Sequence, residues 1–347
     1  MLFFVIGLPG AFADWCETVV RRLAERALGP IELIRADTLA QLALDAIGSG
    51  ASQAVVSTHQ PGGGLCAALA ENRRHFIVAR DDPRLALLDL VLDRGIGLAD
   101  AVQAVASAGG ALTRCATAPG ALVLYRDRDW LDPAGTAFAI TRHLGIGVDD
   151  QSIADLMLDL AADGVARVRH DAVAWWSGLA AGDQALVTGA LAPFVEEQEG
   201  DGLMSLDWAA DLFFVGGRLD VRARGPVDIT GRAHCLLEGP HIMLPAGAWS
   251  LTLTLLLSAG AEEREFFVEV CADHLIATGT LQPQHSDHGE TTLNFVLDET
   301  TERPLSIRVS TTRAAFDGAI AIGSARLVRA VPPRALASDE PPALAGK

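Results

Sequence analysis

The spacing of apolar residues changes near residue 210, and this change constrains the fold more than any other feature of the chain. Before that point, short apolar segments alternate with stretches in which apolar residues recur at helical spacing, as in residues 2–6 and the residues after Gly10. After it, short alternating segments are separated by turn clusters such as Pro245-Ala246-Gly247. The sequence therefore predicts two consecutive units of different fold class.

The first unit, residues 1–212, is predicted to be an α/β domain. Its strand candidates are residues 2–6, 31–34, 54–57, 76–79 and 121–125, and its helix candidates include residues 38–47, 85–94, 133–144, 150–162 and 181–198. Asp132-Pro133 supplies a helix cap and a first-turn proline, and Gly145 supplies the stop. Alternation of this kind indicates a three-layer arrangement, a mostly parallel sheet with helices on both faces.

The second unit, residues 232–330, is predicted to be an all-β sandwich. Its strand candidates are residues 233–237, 249–257, 266–271, 293–297, 305–310 and 319–328. Residues 213–231 are rich in glycine and arginine and are predicted to be a linker. Residues 331–347 are predicted to be a disordered tail, because they consist mainly of proline, alanine and acidic residues.

Charge limits the classes of partner and of mechanism. The formal net charge is -17, which disfavours nucleic-acid binding, and no segment is long and apolar enough to predict membrane insertion. The only lysine is Lys347, the last residue. Mechanisms that need a phosphate-loop lysine, a Schiff-base lysine or a lysine general base within the folded chain are therefore excluded.

The cysteines favour a reducing compartment. Five are present and widely spaced, with no Cys-x-x-Cys pair: Cys16, Cys66, Cys115, Cys235 and Cys271. This pattern is typical of small core residues, and it predicts neither a disulfide framework nor a metal site. We expect a cytoplasmic location, and the apolar faces of two domains make a homo-oligomer plausible.

Candidate site residues follow the strands of the first unit, because ligands of open parallel sheets bind beyond the carboxyl ends of the strands. Four segments meet this condition: residues 7–10, 57–61, 80–84 and 125–129. They carry Gly7-Leu8-Pro9-Gly10, Thr58-His59-Gln60-Pro61, Arg80-Asp81-Asp82-Pro83-Arg84 and Tyr125-Arg126-Asp127-Arg128-Asp129.

In the order of these segments the chain resembles the sulfotransferase family, which has a P-loop NTPase-like fold and uses the donor 3'-phosphoadenosine 5'-phosphosulfate (PAPS). The resemblance implies that Gly7, Pro9 and Gly10 form the 5'-phosphosulfate loop and that His59 is the general base. It also implies that Arg80 and Arg84 hold the 3'-phosphate of PAPS, or of the desulfonated product PAP.

The chain departs from the family pattern where the donor's charge must be stabilised. Residues 10–14 read Gly-Ala-Phe-Ala-Asp, without the basic and hydroxyl-bearing residues of the family loop. Removing one charge-stabilising donor typically lowers the rate by about 100- to 1,000-fold, and several are missing here. The sequence therefore favours a sulfotransferase-like pseudoenzyme without a bound cofactor.

Each candidate also has a purely structural interpretation. Residues 7–10 could be a tight turn, and His59 could be a structural histidine. Arg80 and Arg84 could belong to a salt-bridge and capping network with their aspartate neighbours. Asp127 and Asp129 could join Asp81 as paired carboxylates, or form a solvated loop. His285 and His288 could chelate zinc only with further ligands that the sequence does not provide.

In the second unit, residues 238–249 resemble the opening of bacterial jelly-roll modules attached to glycan-handling enzymes. This resemblance implies carbohydrate binding, although the unit contains no tyrosine. The first functional hypothesis is a degenerate sulfotransferase-like protein that binds a glycan or partner proteins of a polysaccharide-assembly system. The second is an active PAPS-dependent sulfotransferase acting on a saccharide hydroxyl, with His59 as its base.

Overall fold

The structure is a computed structural model that describes residues 1–49, 52–162, 171–199, 205–261, 264–283, 290–297 and 303–330. The strands of the first unit are β1 (Leu2–Gly7), β2 (Glu32–Arg35), β3 (Ala54–Thr58), β4 (Phe76–Arg80) and β5 (Ala121–Tyr125). The helices are α1 (Ala11–Leu28), α2 (Leu39–Ser49), α3 (Gly63–Glu71), α4 (Pro83–Leu88), α5 (Leu98–Cys115), α6 (Arg126–Asp129), α7 (Pro133–Leu144), α8 (Asp150–Ala162), α9 (Ala172–Gly178) and α10 (Ala181–Glu199). A π-helical turn, Asp89–Asp93, follows α4.

Within the described residues, the strands of the first unit form one parallel sheet in the order β2-β3-β1-β4-β5. Strand β1 is central, and its alternating side chains enter two different cores. Phe3 and Val5 pack with α1, α7 and α8, whereas Phe4 and Ile6 pack with α4, α5 and α10. Helices therefore cover both faces of the sheet, which confirms the predicted three-layer α/β arrangement.

The second unit contains antiparallel strands: β6 (Ser205–Trp208), β7 (Phe214–Val215), β8 (Arg218–Arg222), β9 (Val227–Asp228), β10 (Cys235–Ile242), β11 (Trp249–Leu257), β12 (Phe266–Cys271), β13 (Leu275–Leu281), β14 (Glu290–Leu297), β15 (Leu305–Thr311) and β16 (Ala319–Arg329). In the described part of the chain they form two sheets, β13-β12-β15-β10-β7-β8 and β14-β11-β16-β6, with β9 pairing to β16.

Strand β11 shows why the two sheets pack face to face. Its residues Trp249, Leu251 and Leu253 are fully buried, and the intervening Ser250 and Thr252 are half-exposed. The side-chain period of two puts every buried residue on the same face of the strand. This arrangement confirms the predicted all-β sandwich.

The segment predicted as a linker, residues 213–231, contributes strands β7, β8 and β9 to the sandwich sheets. Strand β6, which precedes the segment, pairs with β16. These strands are short and lie at or near sheet edges, so they carry few of the apolar residues by which strands are recognised in a sequence. That residues 232–330 fold as a unit of their own stays a prediction.

Helix α5 joins the two units. The hydroxyl oxygen of Ser107 accepts a buried hydrogen bond of 3.1 Å from the backbone N–H of Met243, and Arg114 donates to the carbonyl oxygen of Leu244 at 3.2 Å. At Gly110 the backbones approach so closely that an added Cβ would lie 1.9 Å from the Met243 carbonyl oxygen. One hydrophobic cluster runs from the α5 side of the parallel sheet into the sandwich.

No helix in the described residues has both the length and the apolar character that crossing a bilayer requires.

Candidate functional site

The carboxyl ends of β1 and β3 bring Gly7 and His59 together. Nδ1 of His59 lies 2.8 Å from the carbonyl oxygen of Gly7, an atom that can only accept a hydrogen bond, so Nδ1 donates. Gly7 itself is closely surrounded, since an added Cβ would lie 2.8 Å from Cβ of Ala13. The loop glycine is therefore required for packing between β1 and α1, whatever else it does.

The environment of His59 favours its neutral form. Burial lowers the pKa of His59 from its ordinary value, and the hydrogen bond to Gly7 and the charge of Asp14 act in the opposite direction with smaller effect. With Nδ1 protonated and donating, Nε2 of the neutral ring is the acceptor. Chemically, His59 is suited to accept a proton at Nε2.

The backbone around His59 is held by its neighbours. The hydroxyl group of Thr58 donates to Oδ1 of Asp37 and accepts a 3.2 Å hydrogen bond from the backbone N–H of Gln60. The backbone N–H of Gly62 donates to the carbonyl oxygen of Asp37 at 2.7 Å. These bonds anchor the segment Thr58–Pro61 to the loop that precedes α2.

A carboxylate of the chain itself occupies the amino end of helix α1. The backbone N–H of Ala11 donates to Oδ2 of Asp89 at 2.9 Å. The same oxygen would lie 3.2 Å from a Cβ added at Gly10, so the glycine makes room for it. Helix amino ends attract anions because their N–H groups are unpaired and their dipole is positive there. At α1 this attraction is satisfied by Asp89.

Arg126 links that carboxylate to a second one. Its Nη1 lies 2.9 Å from Oδ2 of Asp81 and 3.0 Å from Oδ2 of Asp89. Asp81 and Asp89 are both almost completely buried, and the guanidinium group lies over the Trp130 ring at 4.7 Å. Buried charges are tolerated when they are paired in this way. We refer to Asp81, Asp89 and Arg126 as the buried charge cluster.

Burial strongly affects the protonation of Asp81 in the buried charge cluster. Burial raises the pKa of Asp81 to about 7, although the adjacent Arg126 guanidinium lowers it. The two carboxylates in turn raise the pKa of Arg126, which outweighs the opposing effect of burial on that group. The guanidinium therefore stays charged while Asp81 titrates near neutral pH.

An aromatic cluster packs beside the turn between β1 and α1. Phe12 is completely buried, and its ring centroid lies 6.0 Å from that of Trp15 and 5.7 Å from that of Trp130. Asp14, one turn into α1, pairs with Arg94. The residues that open α1 therefore form a packed, internally neutralised structure.

Arg84 belongs to a capping network. Oδ1 of Asp82 accepts from the backbone N–H of Arg84 at 2.8 Å, which caps α4, and the Arg84 guanidinium binds both oxygens of Asp82. Beside this pair lies a groove of about 630 Å³ with Trp175 and Trp176 in its wall. Arg80 ends β4 and is half-buried. Arg80 and Arg84 therefore flank the buried Asp81 on adjoining segments.

The carboxylate of Asp129 has partners other than Asp81. Oδ2 of Asp129 accepts from the backbone N–H of Tyr125 at 2.6 Å, and the side chain also pairs with Arg128. Among the described residues, no group of three or more His, Cys, Asp or Glu side chains could hold a metal ion. His285 and His288 lie outside the described residues.

Sequence analysis missed Asp89 and Arg126 as members of the site. A signal for Asp89 is present, because it is the only charged residue in the apolar run of residues 85–92, and an isolated charge in such a run is usually buried and paired. Arg126 stands among alternating charges at residues 126–129, and nothing in that pattern distinguishes it from Arg128.

No protein family model and no curated protein matches the sequence. A mouse sulfotransferase complexed with PAP matches 48% of this chain and 62% of its own, with 13% identity and a TM-score of 0.36. The carbohydrate-binding module TmCBM61, solved with beta-1,4-galactotriose, matches 31% of this chain and 74% of its own (12% identity, TM-score 0.25). A family 35 carbohydrate binding module from Clostridium thermocellum matches 36% of this chain and 98% of its own (10% identity, TM-score 0.26).

Proposed function

We propose that this chain is a sulfotransferase-like protein that acts by binding, to a glycan or to partner proteins of a polysaccharide-assembly system, and that it does not transfer sulfuryl groups. The observation that carries the proposal is the position of Asp89. Its carboxylate accepts the Ala11 N–H at the helix end where the 5'-phosphosulfate of a donor would have to bind.

Charge explains why a donor is excluded. Like charges about 4 Å apart repel by roughly 4 kcal/mol at an effective dielectric constant of about 20. A phosphosulfate at α1 would meet Asp89 at this distance or less, and Arg126 is already shared between Asp89 and Asp81. The only lysine of the chain is Lys347. Sulfuryl transfer needs positive groups that stabilise the charge of the donor. At this helix end the positive group is already paired with carboxylates of the chain itself.

The outer face of the sheet β14-β11-β16-β6 supports the glycan part of the proposal. Asn294, Thr252, Arg326 and Asp207 lie side by side across its four strands, by strand register, and Thr252 donates to Asn294 at 2.8 Å. Amide, hydroxyl, guanidinium and carboxylate groups are hydrogen-bonding partners for sugar hydroxyls. Binding at this face would depend on these polar groups, because both tryptophans of its strands, Trp208 and Trp249, are completely buried.

Calorimetry with PAP tests the first half of the proposal. We expect no heat of binding and no thermal stabilisation of the wild-type chain at saturating PAP. In Asp89→Ala the competing carboxylate is absent, so we expect measurable binding. Micromolar affinity in the wild type, lost in Arg80→Ala and kept in the exposed control Arg142→Ala, would refute the proposal. Glycan-array binding that is lost in Arg326→Ala tests the second half.

One observation favours the alternative, an active sulfotransferase. The neutral ring of His59, with Nδ1 donating to Gly7, has the protonation state that a general base needs. In that case Arg80 and Arg84 would hold the phosphates of PAPS. Sulfuryl transfer from PAPS to saccharides, present in the wild type and lost in His59→Gln, would establish this alternative; no transfer above background is the outcome that we expect.

A further inference from the structure

A group of basic side chains lies at the amino ends of β4 and β5, at the edge of the sheet opposite the candidate site. The rings of His75 and His143 are in contact there, with centroids 4.8 Å apart and planes nearly perpendicular. Nε2 of His143 donates to the carbonyl oxygen of Gly120 at 2.8 Å, and the same oxygen accepts from the backbone N–H of Phe76 at 3.1 Å. The turn after α3 is therefore packed against the last turn of α7.

Three exposed arginines adjoin these two rings. Arg73 and Arg74 directly precede His75, and Arg142 directly precedes His143. We refer to these five residues as the basic patch. Within the part of the chain that the structure describes, none of the three arginines forms an ion pair. The other arginines exposed in the described part of the first unit all pair with carboxylates: Arg22, Arg26, Arg35, Arg84, Arg94 and Arg128.

Unpaired arginines are unexpected in a chain of this composition. It has 44 acidic and 27 basic residues, so carboxylates are available to most arginines. Glu71, the acidic residue that precedes Arg73 in the sequence, is exposed and forms no ion pair with any described residue. Neighbouring guanidinium groups also repel one another. The basic patch therefore reverses the sign of charge locally, in a chain of net charge -17, and favours an anion from outside the chain.

The backbone at Arg73 indicates a role for its side chain. Its φ is +46°, in the left-handed region, and it lies two residues after the end of α3. Its backbone N–H donates to the carbonyl oxygen of Ala70 at 3.2 Å, which closes the helix end. Glycine closes a helix end of this type without strain. An arginine here therefore costs stability that the local structure does not return.

Helix dipoles offer a structural explanation for part of the basic patch. Arg142 lies in the last turn of α7, where a cation is favoured by the partial negative charge of the helix end. This stabilisation is the same whether or not an anion binds. Stability and anion binding therefore need separate measurements.

We propose that the basic patch binds an acidic polysaccharide, one that carries carboxylate or sulfate groups along its length. Guanidinium groups bind such oxyanions through two parallel hydrogen bonds. Nucleic acid fits less well, because a duplex with one charge per about 1.7 Å would extend past the patch onto acidic surface. A polysaccharide carries its charges farther apart, with uncharged hydroxyl groups between them, so less repulsion opposes it.

This proposal rests on the proposed function in taking the partner to be a glycan. It goes beyond that function by giving the charge of the glycan and a second surface for it, on the first unit rather than on the sandwich.

Calorimetry of the full chain with polygalacturonate and with dextran sulfate tests the proposal, with uncharged dextran as the neutral probe. We expect both polyanions to bind and dextran not to bind. Raising the salt from about 50 mM to about 200 mM is expected to weaken binding roughly tenfold, the effect of about three charge contacts. Arg73→Gln/Arg74→Gln/Arg142→Gln is expected to lower the affinity by at least about tenfold, because charge-assisted hydrogen bonds are lost.

The matched control is Arg218→Gln/Arg232→Gln/Arg313→Gln. It removes three exposed arginines of the second unit and changes the net charge by the same amount. It is expected to keep the wild-type affinity for both polyanions. A purely structural role of the basic patch predicts a lower melting temperature for the patch variant with polyanion affinity unchanged.

Polyanion affinity that the patch variant retains, an equal loss in both triple variants, or no binding of either polyanion would overturn the proposal. Tighter binding of double-stranded DNA than of either polysaccharide would assign the patch to nucleic acid and overturn it as well. If the patch variant fails to fold, phenylglyoxal modification of the wild-type chain, mapped by mass spectrometry, decides the question. Bound polyanion must then protect Arg73, Arg74 and Arg142.

Failure of this proposal and failure of the proposed function give different results. Glycan binding that is lost in Arg326→Ala and kept in the patch variant would support the sandwich face and refute the basic patch. Calorimetry with PAP concerns the opposite edge of the sheet, so its outcome is independent of both.

Discussion

The backbone N–H of Ala11 and the carboxylate of Asp89 are joined by a 2.9 Å hydrogen bond, although the two residues are 78 positions apart in the sequence. The same carboxylate oxygen receives Arg126 at 3.0 Å. The carboxylate of Asp89 thus lies at the amino end of α1. In proteins that bind phosphate at a helix amino end, the phosphate group lies at this position.

Asp89→Ala removes the carboxylate that holds both Ala11 and Arg126. Arg126 keeps Asp81, so the cost is expected to be about 2 to 4 kcal/mol of unfolding free energy, the range for losing charge-assisted hydrogen bonds in a buried pair. Urea denaturation measures it. Asp93→Ala, an exposed carboxylate at the end of the same π-helical turn, is the control and is expected to change stability by less than about 0.5 kcal/mol.

Asp81 gives stability a pH dependence of defined sign. Its pKa is about 7 in the folded chain and about 3.9 when unfolded, so between these values the folded state binds the extra proton. The contribution of Asp81 to stability therefore falls as pH rises from about 4 to about 7, by up to about 4 kcal/mol, and is constant above. The measurement is the difference in unfolding free energy between wild type and Asp81→Asn across this range; a difference independent of pH would contradict it.

Gly110→Ala tests the contact between the two units. The added Cβ would lie 1.9 Å from the Met243 carbonyl oxygen, so α5 or the strand must move, at a cost of about 1 to 3 kcal/mol or more. Calorimetry is expected to show a lower melting temperature. Gly182→Ala, on a helix and with open space around it, is the control and is expected to leave stability unchanged or slightly raised. Equal effects of the two substitutions would refute the prediction.

His59 is expected to titrate below the ordinary histidine range, because burial disfavours its charged form. A histidine whose folded pKa is depressed contributes stability above its unfolded pKa, about 6.5, and that contribution is lost as pH falls below it. NMR titration of the ring resonances, assigned with His59→Gln, checks both this shift and the Nδ1–H tautomer that the bond to Gly7 requires. Titration at or above about 6.5 would rule out the burial argument.

Two fragments of the sandwich should differ in stability. The predicted boundaries of the second unit imply that a 232–330 fragment is soluble and β-rich. This fragment lacks β6, whose Leu206 and Trp208 are buried in the core and whose partner is β16. A 205–330 fragment retains these residues. We expect the longer fragment to melt at a higher temperature, because it buries more apolar surface and leaves β16 paired on both sides. Circular dichroism melts of the two fragments provide the comparison.

Local sequence patterns predicted the bounds of a helix correctly where a capping residue stands at each end. The helices Pro133–Leu144 and Asp150–Ala162 have the bounds predicted from sequence. For the first of them, Asp132 accepts from the Gly135 N–H and Gly145 adopts the left-handed conformation at the carboxyl end. Capping is a local interaction, so a few neighbouring residues specify it.

The candidate site could be predicted only in part. The rule for parallel sheets located the segments of Gly7, His59 and Arg80 at one edge, and β1, β3 and β4 are indeed neighbours. The rule for parallel sheets does not predict which hydrogen-bond partner each of these side chains has. The hydrogen bond between His59 and Gly7 joins residues more than 50 positions apart. The hydrogen bond from Ala11 to Asp89, which stands where a ligand could have bound, does so too.

The amino-acid sequence alone determined the two fold classes, the lack of an internal lysine and the absence of a basic, hydroxyl-bearing first loop, because periodicity and residue identity are properties of the chain itself. The tertiary structure decided which charges meet. Asp81, Asp89 and Arg126 come from three separate segments, and only the packing of α4 and the π-helical turn against the sheet removes them from water together. Burial then makes their pairing obligatory, since an unpaired charge at that depth would cost more than the fold can supply.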